Sequence, residues 1–244
     1  MPLFRALVFS SVLVGLIVGV VVTLAQLYAT VPLILKAETY EKSSEASIPA
    51  PAPATLQVPG QAQVPAHDHS GHDHAAAAWE PADGLERTLY TAGANILNAT
   101  GFALLLAGAF SLRRTGVTWR EGLLWGLAGF AAFTVAPGLG LPPELPGVPA
   151  ADLNARQIWW VGTAAATLLG LGLIAFVRAP IAAAAGVGVL LLPHVIGAPH
   201  VADASTSVPE ALSRQFVVAV TLTSLISWAL LGSLTGVFYR KFSS

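Results

Sequence analysis

The chain has 244 residues, of which 55% are hydrophobic and 10% charged, against about 25% charged in an ordinary soluble domain, and this predicts a membrane protein. With no cysteine and one methionine, disulfides, thiolate zinc sites and sulfur-bound Cu(I) are excluded, so any metal chemistry must use nitrogen and oxygen ligands. The formal net charge is -1 and no basic run of the kind that tracks phosphates appears, so no nucleic-acid partner is expected.

In chain order, the first uncharged stretch follows Arg5 and runs from Ala6 to Leu35. It exceeds the roughly 20 apolar residues needed to cross a bilayer, whereas a signal peptide has an apolar core of about 7 to 15. Residues 1–35 are therefore read as a retained membrane helix. Gly15 and Gly19 form a GxxxG pair suited to close helix packing, and Thr23, Gln26 and Thr30 share one face, near Pro32. From residue 36 to 83 the composition turns to Glu, Lys, Ser, Pro and Ala, with Pro49, Pro51, Pro53, Pro59 and Pro65 spaced through it. Such a segment cannot bury enough apolar surface to fold alone, and a flexible, disordered loop is expected. Near its C-terminal end stands His67-Asp68-His69-Ser70-Gly71-His72-Asp73-His74. Imidazole and carboxylate are ligands for divalent Co, Ni, Cu and Zn, whereas a merely solvated linker has no need of imidazoles. His67, His69, His72, His74, Asp68 and Asp73 are accordingly candidate metal ligands.

Residues 84–244 read as a helical membrane domain with about five further spans. The second span opens at Asp83-Gly84-Leu85-Glu86, which has the form of a capping box, and runs to about Leu112. Along it Thr88, Thr91, Asn95 and Asn98 draw one polar stripe, which either packs against a neighbouring helix or lines a wet path. The third span, from about Gly122 to Val135 and short unless it continues toward Leu141, carries a GxxxG pair at Gly122 and Gly126. Its exit from Ala136 to Gly147 is rich in proline and glycine and is expected as a structured loop at the membrane surface. Asp152 is placed to cap the fourth span, about Ile158 to Val177, and Trp159 with Trp160 suits the interfacial aromatic belt. Pro180 opens the fifth, which reaches Pro193-His194. A histidine at membrane depth is a functional candidate, the alternative being a hydrogen-bonded bundle residue. His200 and Asp203 follow it, and the sixth span, about Gln215 to Tyr239, carries Thr221, Ser224 and Ser227 along one side and a GxxxG pair at Gly232 and Gly236.

The expected fold is thus an all-α, polytopic integral membrane bundle of about six transmembrane helices, or five. Basic residues near span ends favour the cytoplasmic side. With both termini cytoplasmic, Arg5, Arg113, Arg114, Arg120, Arg178, Arg240 and Lys241 lie inside, and Lys36, Lys42, Arg87, Arg156 and Arg214 outside. All histidines and every acidic residue except Glu121 then fall on or near the outer side, where a negative field concentrates cations. The expectation is a multi-pass protein of the inner (cytoplasmic) membrane with its His-rich loop extracytoplasmic. There the loop, Glu144, Asp152, His194, His200 and Asp203 would form one metal-receiving mouth. Of these His194, His200 and Asp203 are further candidate ligands, and Asn95, Asn98, Thr91, Ser224 and Glu144 are candidates for the translocation path.

A series of stretches runs nearly end to end: the N-terminal span leading into Val31-Pro32-Leu33-Ile34-Leu35-Lys36-Ala37-Glu38, the His-rich loop, and Asp83-Gly84-Leu85-Glu86-Arg87-Thr88-Leu89-Tyr90-Thr91. It continues through Trp125-Gly126-Leu127-Ala128-Gly129-Phe130, the stretch from Ala136 to Gly147, Arg156-Gln157-Ile158-Trp159-Trp160, and Leu192-Pro193-His194-Val195-Ile196-Gly197-Ala198-Pro199-His200. In these stretches and their order the chain resembles the CbtA family of probable cobalt transporter subunits. The resemblance implies uptake of Co²⁺ for corrinoid synthesis, a small His-containing membrane partner of the CbtB type, and five spans against the six counted here. Co²⁺ is then the transported ion, with no tightly bound cofactor. The alternatives are Ni²⁺ or Zn²⁺ as cargo, which generally bind such ligands at least as tightly, or a non-transporting metal-binding accessory or sensor subunit. The sequence has no GxxxxGKS/T phosphate loop. The one dense histidine cluster lies in the loop, where three fixed ligands are not expected, so an enzyme is not expected either.

Overall fold

The computed structural model describes residues 2–46, 81–113, 116–201 and 205–243. The histidine palindrome, Arg114 and Asp203 lie outside the described residues. Among those described, every regular element is a helix: α1 (Pro2–Ala29), α2 (Val31–Ala46), α3 (Leu85–Leu112), α4 (Trp119–Phe130), a π turn (Ala131–Val135), α5 (Ala136–Gly140), α6 (Leu153–Phe176), α7 (Pro180–Ile196) and α8 (Glu210–Ser243). Five stretches are long and apolar enough to cross a membrane: Phe4–Ala29, Leu85–Leu112, Trp119–Gly140, Leu153–Phe176 and Glu210–Ser243. α7 is apolar but has 17 residues. At 1.5 Å per residue it reaches roughly 25 Å, somewhat less than the ~30 Å hydrocarbon core.

Contacts between helices fix their directions. Phe9 in α1 meets Phe242 in α8, with ring centroids 6.4 Å apart. Gly15 and Gly19 of α1 lie against Thr100 and Ile96 of α3, in reverse order, and Gly122 and Gly126 of α4 lie against α8 between Trp228 and Gly236, again reversed. Gly170 of α6 meets Gly186 and Leu190 of α7. At one end Phe176 of α6 sits on Trp125 of α4, centroids 6.0 Å apart. At the other, Ala198 beyond α7 lies 2.9 Å from where a Cβ on Gly140 would be. Six helical runs therefore alternate in direction, and the two ends of the described chain come together.

The charges follow these directions. Arg5, Arg113, Arg120, Arg178, Arg240 and Lys241 gather at the end that holds both termini, the basic end, with Glu121 there bound to Arg113 at 3.4 Å. The opposite, acidic end holds Glu38, Asp83, Glu86, Glu144, Asp152 and Glu210 together with His194 and His200. Its arginines are paired: Arg87 with Glu38 at 3.0 Å and Asp83 at 3.1 Å, Arg156 with Glu144 at 3.0 Å, and Arg214 with Glu210 at 3.9 Å.

Several local expectations change in detail. Residues 36–46, assigned by composition to the flexible loop, are helical as part of α2. Its Ala37 is buried with Leu145, Val208, Leu212 and Phe216 in a small core at the acidic end. The break before it falls at Thr30, because Pro32 has no N–H to carry the α1 ladder onward. No capping box forms at Asp83. Gly84 is the N-cap, without a side-chain cap, and the Asp83 carboxylate binds Arg87 instead. A capping box does form at Thr118, whose hydroxyl accepts from the Glu121 N–H at 3.3 Å while the Glu121 carboxylate accepts from the Thr118 N–H at 2.8 Å. Asp152 caps α6 as expected, accepting from the Ala155 N–H at 2.9 Å.

The third span continues as helix to Gly140, the longer of its two expected extents, so Ala136–Gly140, expected as the start of a surface loop, is helical. Pro137 offers no N–H and would crowd the preceding turn of an α-helix. The π turn accommodates it by sending the Ala136 N–H to the Ala131 carbonyl, five residues back, before the helix resumes.

Candidate translocation cavity

A cavity of about 630 Å³ lies between α1, α2, α3, the π turn, α6 and α8, in the half of the bundle toward the acidic end. Three stripes of polar side chains meet in it. α1 and the turn after it contribute Gln26 and Thr30, α3 contributes Thr91, Asn95 and Asn98, and α8 contributes Thr223, Ser224 and Ser227. Each stripe follows from residues three and four apart sharing one helical face. Thr134 of the π turn adds a further hydroxyl.

Toward the middle of the bundle the cavity ends on three packed rings. Phe102 meets Phe133 with centroids 5.2 Å apart and Trp228 at 4.8 Å, edge on, and Phe133 stacks on Trp228 at 5.6 Å. Trp160 lies beside them, 6.0 Å from Phe133. Behind Trp228 there is no slack: a Cβ on Gly129 would run into its indole ring, and one on Gly126 into its carbonyl oxygen. Toward the acidic end the cavity reaches Arg87, which also borders a neighbouring groove of about 460 Å³ containing Asp83 and Thr88.

The hydrogen bonds set the polarity of this space. The Asn95 amide donates to Thr23 Oγ1 at 3.0 Å and to Gln26 Oε1 at 2.7 Å, joining α3 to α1 and leaving the Asn95 carbonyl oxygen as an acceptor. Thr91 donates to the Arg87 carbonyl at 2.8 Å and Thr30 to the Gln26 carbonyl at 3.2 Å. A hydroxyl whose proton is given to its own helix presents lone pairs outward. Among the described residues, no carboxylate or imidazole lines the cavity, and Arg87 is its one charged side chain.

Of the path residues expected from the sequence, Thr91, Asn95, Asn98 and Ser224 share this cavity and Glu144 does not. Glu144 is paired with Arg156. His194 is half-buried in the last turn of α7, its ring 6.0 Å from Trp159, whose indole N–H points to the Pro193 carbonyl at 3.4 Å. His200 is exposed, its Nδ1 3.0 Å from the Ala198 carbonyl. Both stand at the acidic end, but among the described residues no three His, Asp or Glu side chains gather closely enough to hold a metal ion. His67, His69, His72, His74, Asp68, Asp73 and Asp203 lie outside the described residues.

Sequence reasoning treated Trp160 as a belt residue and missed the ring barrier altogether. Its members Phe102, Phe133 and Trp228 stand on three elements, far apart in the chain, so no spacing signals them. Gln26 and Thr30 were legible as a polar face, and only the reversed α1–α3 pairing reveals that this face turns toward Asn95.

Helices of membrane-spanning length, with charges sorted to the two ends, define a multi-pass membrane protein. Residues 4–240, nearly the whole chain, match the model of the CbtA family, described as probable cobalt transporter subunit, and the chain belongs to that family. No curated protein and no solved structure matches it.

Proposed function

We propose that this protein is the membrane subunit that takes up Co²⁺ for corrinoid synthesis, working with a small His-containing membrane subunit of the CbtB type. The observation that carries the reading is the convergence of polar stripes from α1, α3 and α8 on one cavity in the acidic half of the bundle. The basic end is cytoplasmic by the distribution of arginine and lysine, in the inner membrane, so the acidic end and the His-rich loop face outward. His67, His69, His72, His74, Asp68 and Asp73 collect the ion loosely, and His194, His200 and Asp203 receive it at the same face. Thr91, Asn95, Asn98 and Ser224 line its way inward, and Glu144 serves the entrance rather than the path. Weak, multiple ligands suit passage better than one tight site. A divalent cation crossing a potential of about 100 mV gains roughly 4 to 5 kcal/mol, from about 2.3 kcal/mol per charge, which drives uptake without ATP.

The test is uptake of labelled Co²⁺ into cells or proteoliposomes carrying the full chain, alone and with the partner subunit, and into cells carrying His194→Ala and His200→Ala. Loss of uptake in the variants is expected, and undiminished uptake removes those two residues from the mechanism. Purified protein that binds Co²⁺ but never moves it, with or without the partner, marks an accessory or sensor role. Competition among Co²⁺, Ni²⁺ and Zn²⁺ identifies the cargo.

A further inference from the structure

We propose that the cavity holds its cation with the water shell intact, recognising an aqua complex through outer-sphere hydrogen bonds. This rests on the transport reading above and goes beyond it by naming the form of the ion that occupies the cavity. Three observations carry it.

The first is donor chemistry. Taking a divalent ion out of water requires negative or strongly donating ligands to replace its shell, and Co²⁺ takes imidazole or carboxylate for this purpose. The polar lining among the described residues consists of amides and hydroxyls, set among rings and aliphatic side chains, and its one charge is the cation Arg87. A bare ion has no ligand set here.

The second is polarity. Waters bound to a cation point their hydrogens outward and need acceptors. The Asn95 side chain spends its N–H groups on Thr23 and Gln26 and keeps its carbonyl oxygen, while Thr91 and Thr30 spend their protons on backbone carbonyls. Asn95, Thr91 and Thr30 thus present acceptors to the cavity, beside the Gln26 and Asn98 amides, which offer donors as well. The positive charge of Arg87 at the rim is already balanced by Glu38 and Asp83, at 3.0 and 3.1 Å.

The third is size. A shell of about six waters, at about 30 Å³ each, occupies roughly 180 Å³. The cavity measures about 630 Å³, so the complete complex fits with further water around it. It cannot pass the floor without movement of Phe102, Phe133 or Trp228, which are in ring contact.

The chain has no cysteine, so Ser224→Cys places a single thiol in the cavity and Ser207→Cys a single exposed thiol at the same end. Each full-length variant is labelled in proteoliposomes by a small neutral methanethiosulfonate, with and without Co²⁺ or hexaamminecobalt(III). The ammine complex resembles an aqua ion in shape and in outward N–H donors but does not exchange its ligands. The expected result is severalfold slower labelling at position 224 with hexaamminecobalt(III), and no slowing at position 207. Protection by Co²⁺ alone overturns the proposal in favour of direct ligation, and protection by neither, or equally at both positions, overturns it outright. Co²⁺ uptake in the same vesicles reports separately on transport, so failure of the hydrated-ion inference is distinguishable from failure of the transport reading.

Discussion

Toward the basic end, α4 and α8 touch backbone to backbone. A Cβ on Gly122 would strike the Gly232 carbonyl, one on Gly232 would come within 2.7 Å of Gly126 Cα, and Phe110 packs its ring between Trp125 and Tyr239. Toward the acidic end the same α8 draws away and turns Thr223, Ser224 and Ser227 to a cavity. Glycine allows close approach where α4 and α8 pack, and hydroxyl and amide side chains line the space where α8 stands away from its neighbours. The seal should be sensitive to added volume and the hollow to lost polarity.

The largest effect is expected in the seal. Gly126→Leu drives a side chain into the Trp228 carbonyl and Gly232, a cost of about 3 kcal/mol or more since backbone must move; the yield and thermal stability of purified protein in detergent should collapse. Trp228→Ala comes next. It removes a buried ring in contact with Phe102 and Phe133, costing about 3–5 kcal/mol, and it also opens the floor of the cavity. Passive leak of Co²⁺ from loaded proteoliposomes should rise, and an unchanged leak would show that the rings are not the barrier.

In the hollow half the effects are smaller in stability and larger in transport. Asn95→Leu removes both amide hydrogen bonds to α1, a loss of about 1–3 kcal/mol, and replaces an acceptor on the cavity wall. Uptake should fall by more than thermal stability explains, which a comparison of initial rates at equal protein content checks. Glu38→Gln weakens the link between α2 and Arg87. The pair is partly exposed, so the stability change should stay below about 1 kcal/mol, and with Asp83 still 3.1 Å from the guanidinium uptake should fall only slightly, more at low ionic strength than at high.

The comparison also explains how much of the molecule was legible in its sequence. Hydropathy marked the membrane helices, and the three GxxxG pairs marked close packing, but not that Gly122 and Gly126 meet Gly232 and Gly236. That pairing is a property of two helices a hundred residues apart. Charge patterning sorted Arg5, Arg113, Arg120, Arg178, Arg240 and Lys241 to one side, and the folded chain places them at one end. The boundary of the flexible loop was drawn where charge begins, at Lys36, although Ala, Glu and Lys are good helix formers and the prolines begin only at Pro49. Asn95 could be assigned to packing or to a wet path from its stripe, and it does the first while facing the cavity, because one side chain has two ends. The fit of His194 against Trp159 was not legible, since it depends on how the α6–α7 hairpin closes.

The smallest expected effect separates sealing glycines from ordinary ones. Gly15 lies on the α1–α3 seam, where a Cβ would run into Thr100, while Gly93 of α3 is exposed and a Cβ on it meets nothing within 4 Å. Gly93→Ala should therefore gain between zero and about 1 kcal/mol, the helix-propensity difference between the two residues. Gly15→Ala should lose about 1–3 kcal/mol through overpacking. Thermal unfolding of the two variants in one detergent measures opposite signs if the glycines of α1 act by contact. Equal shifts would mean that they act through helix propensity alone, and the distinction between a sealed and a hollow half would lose its physical basis in glycine packing.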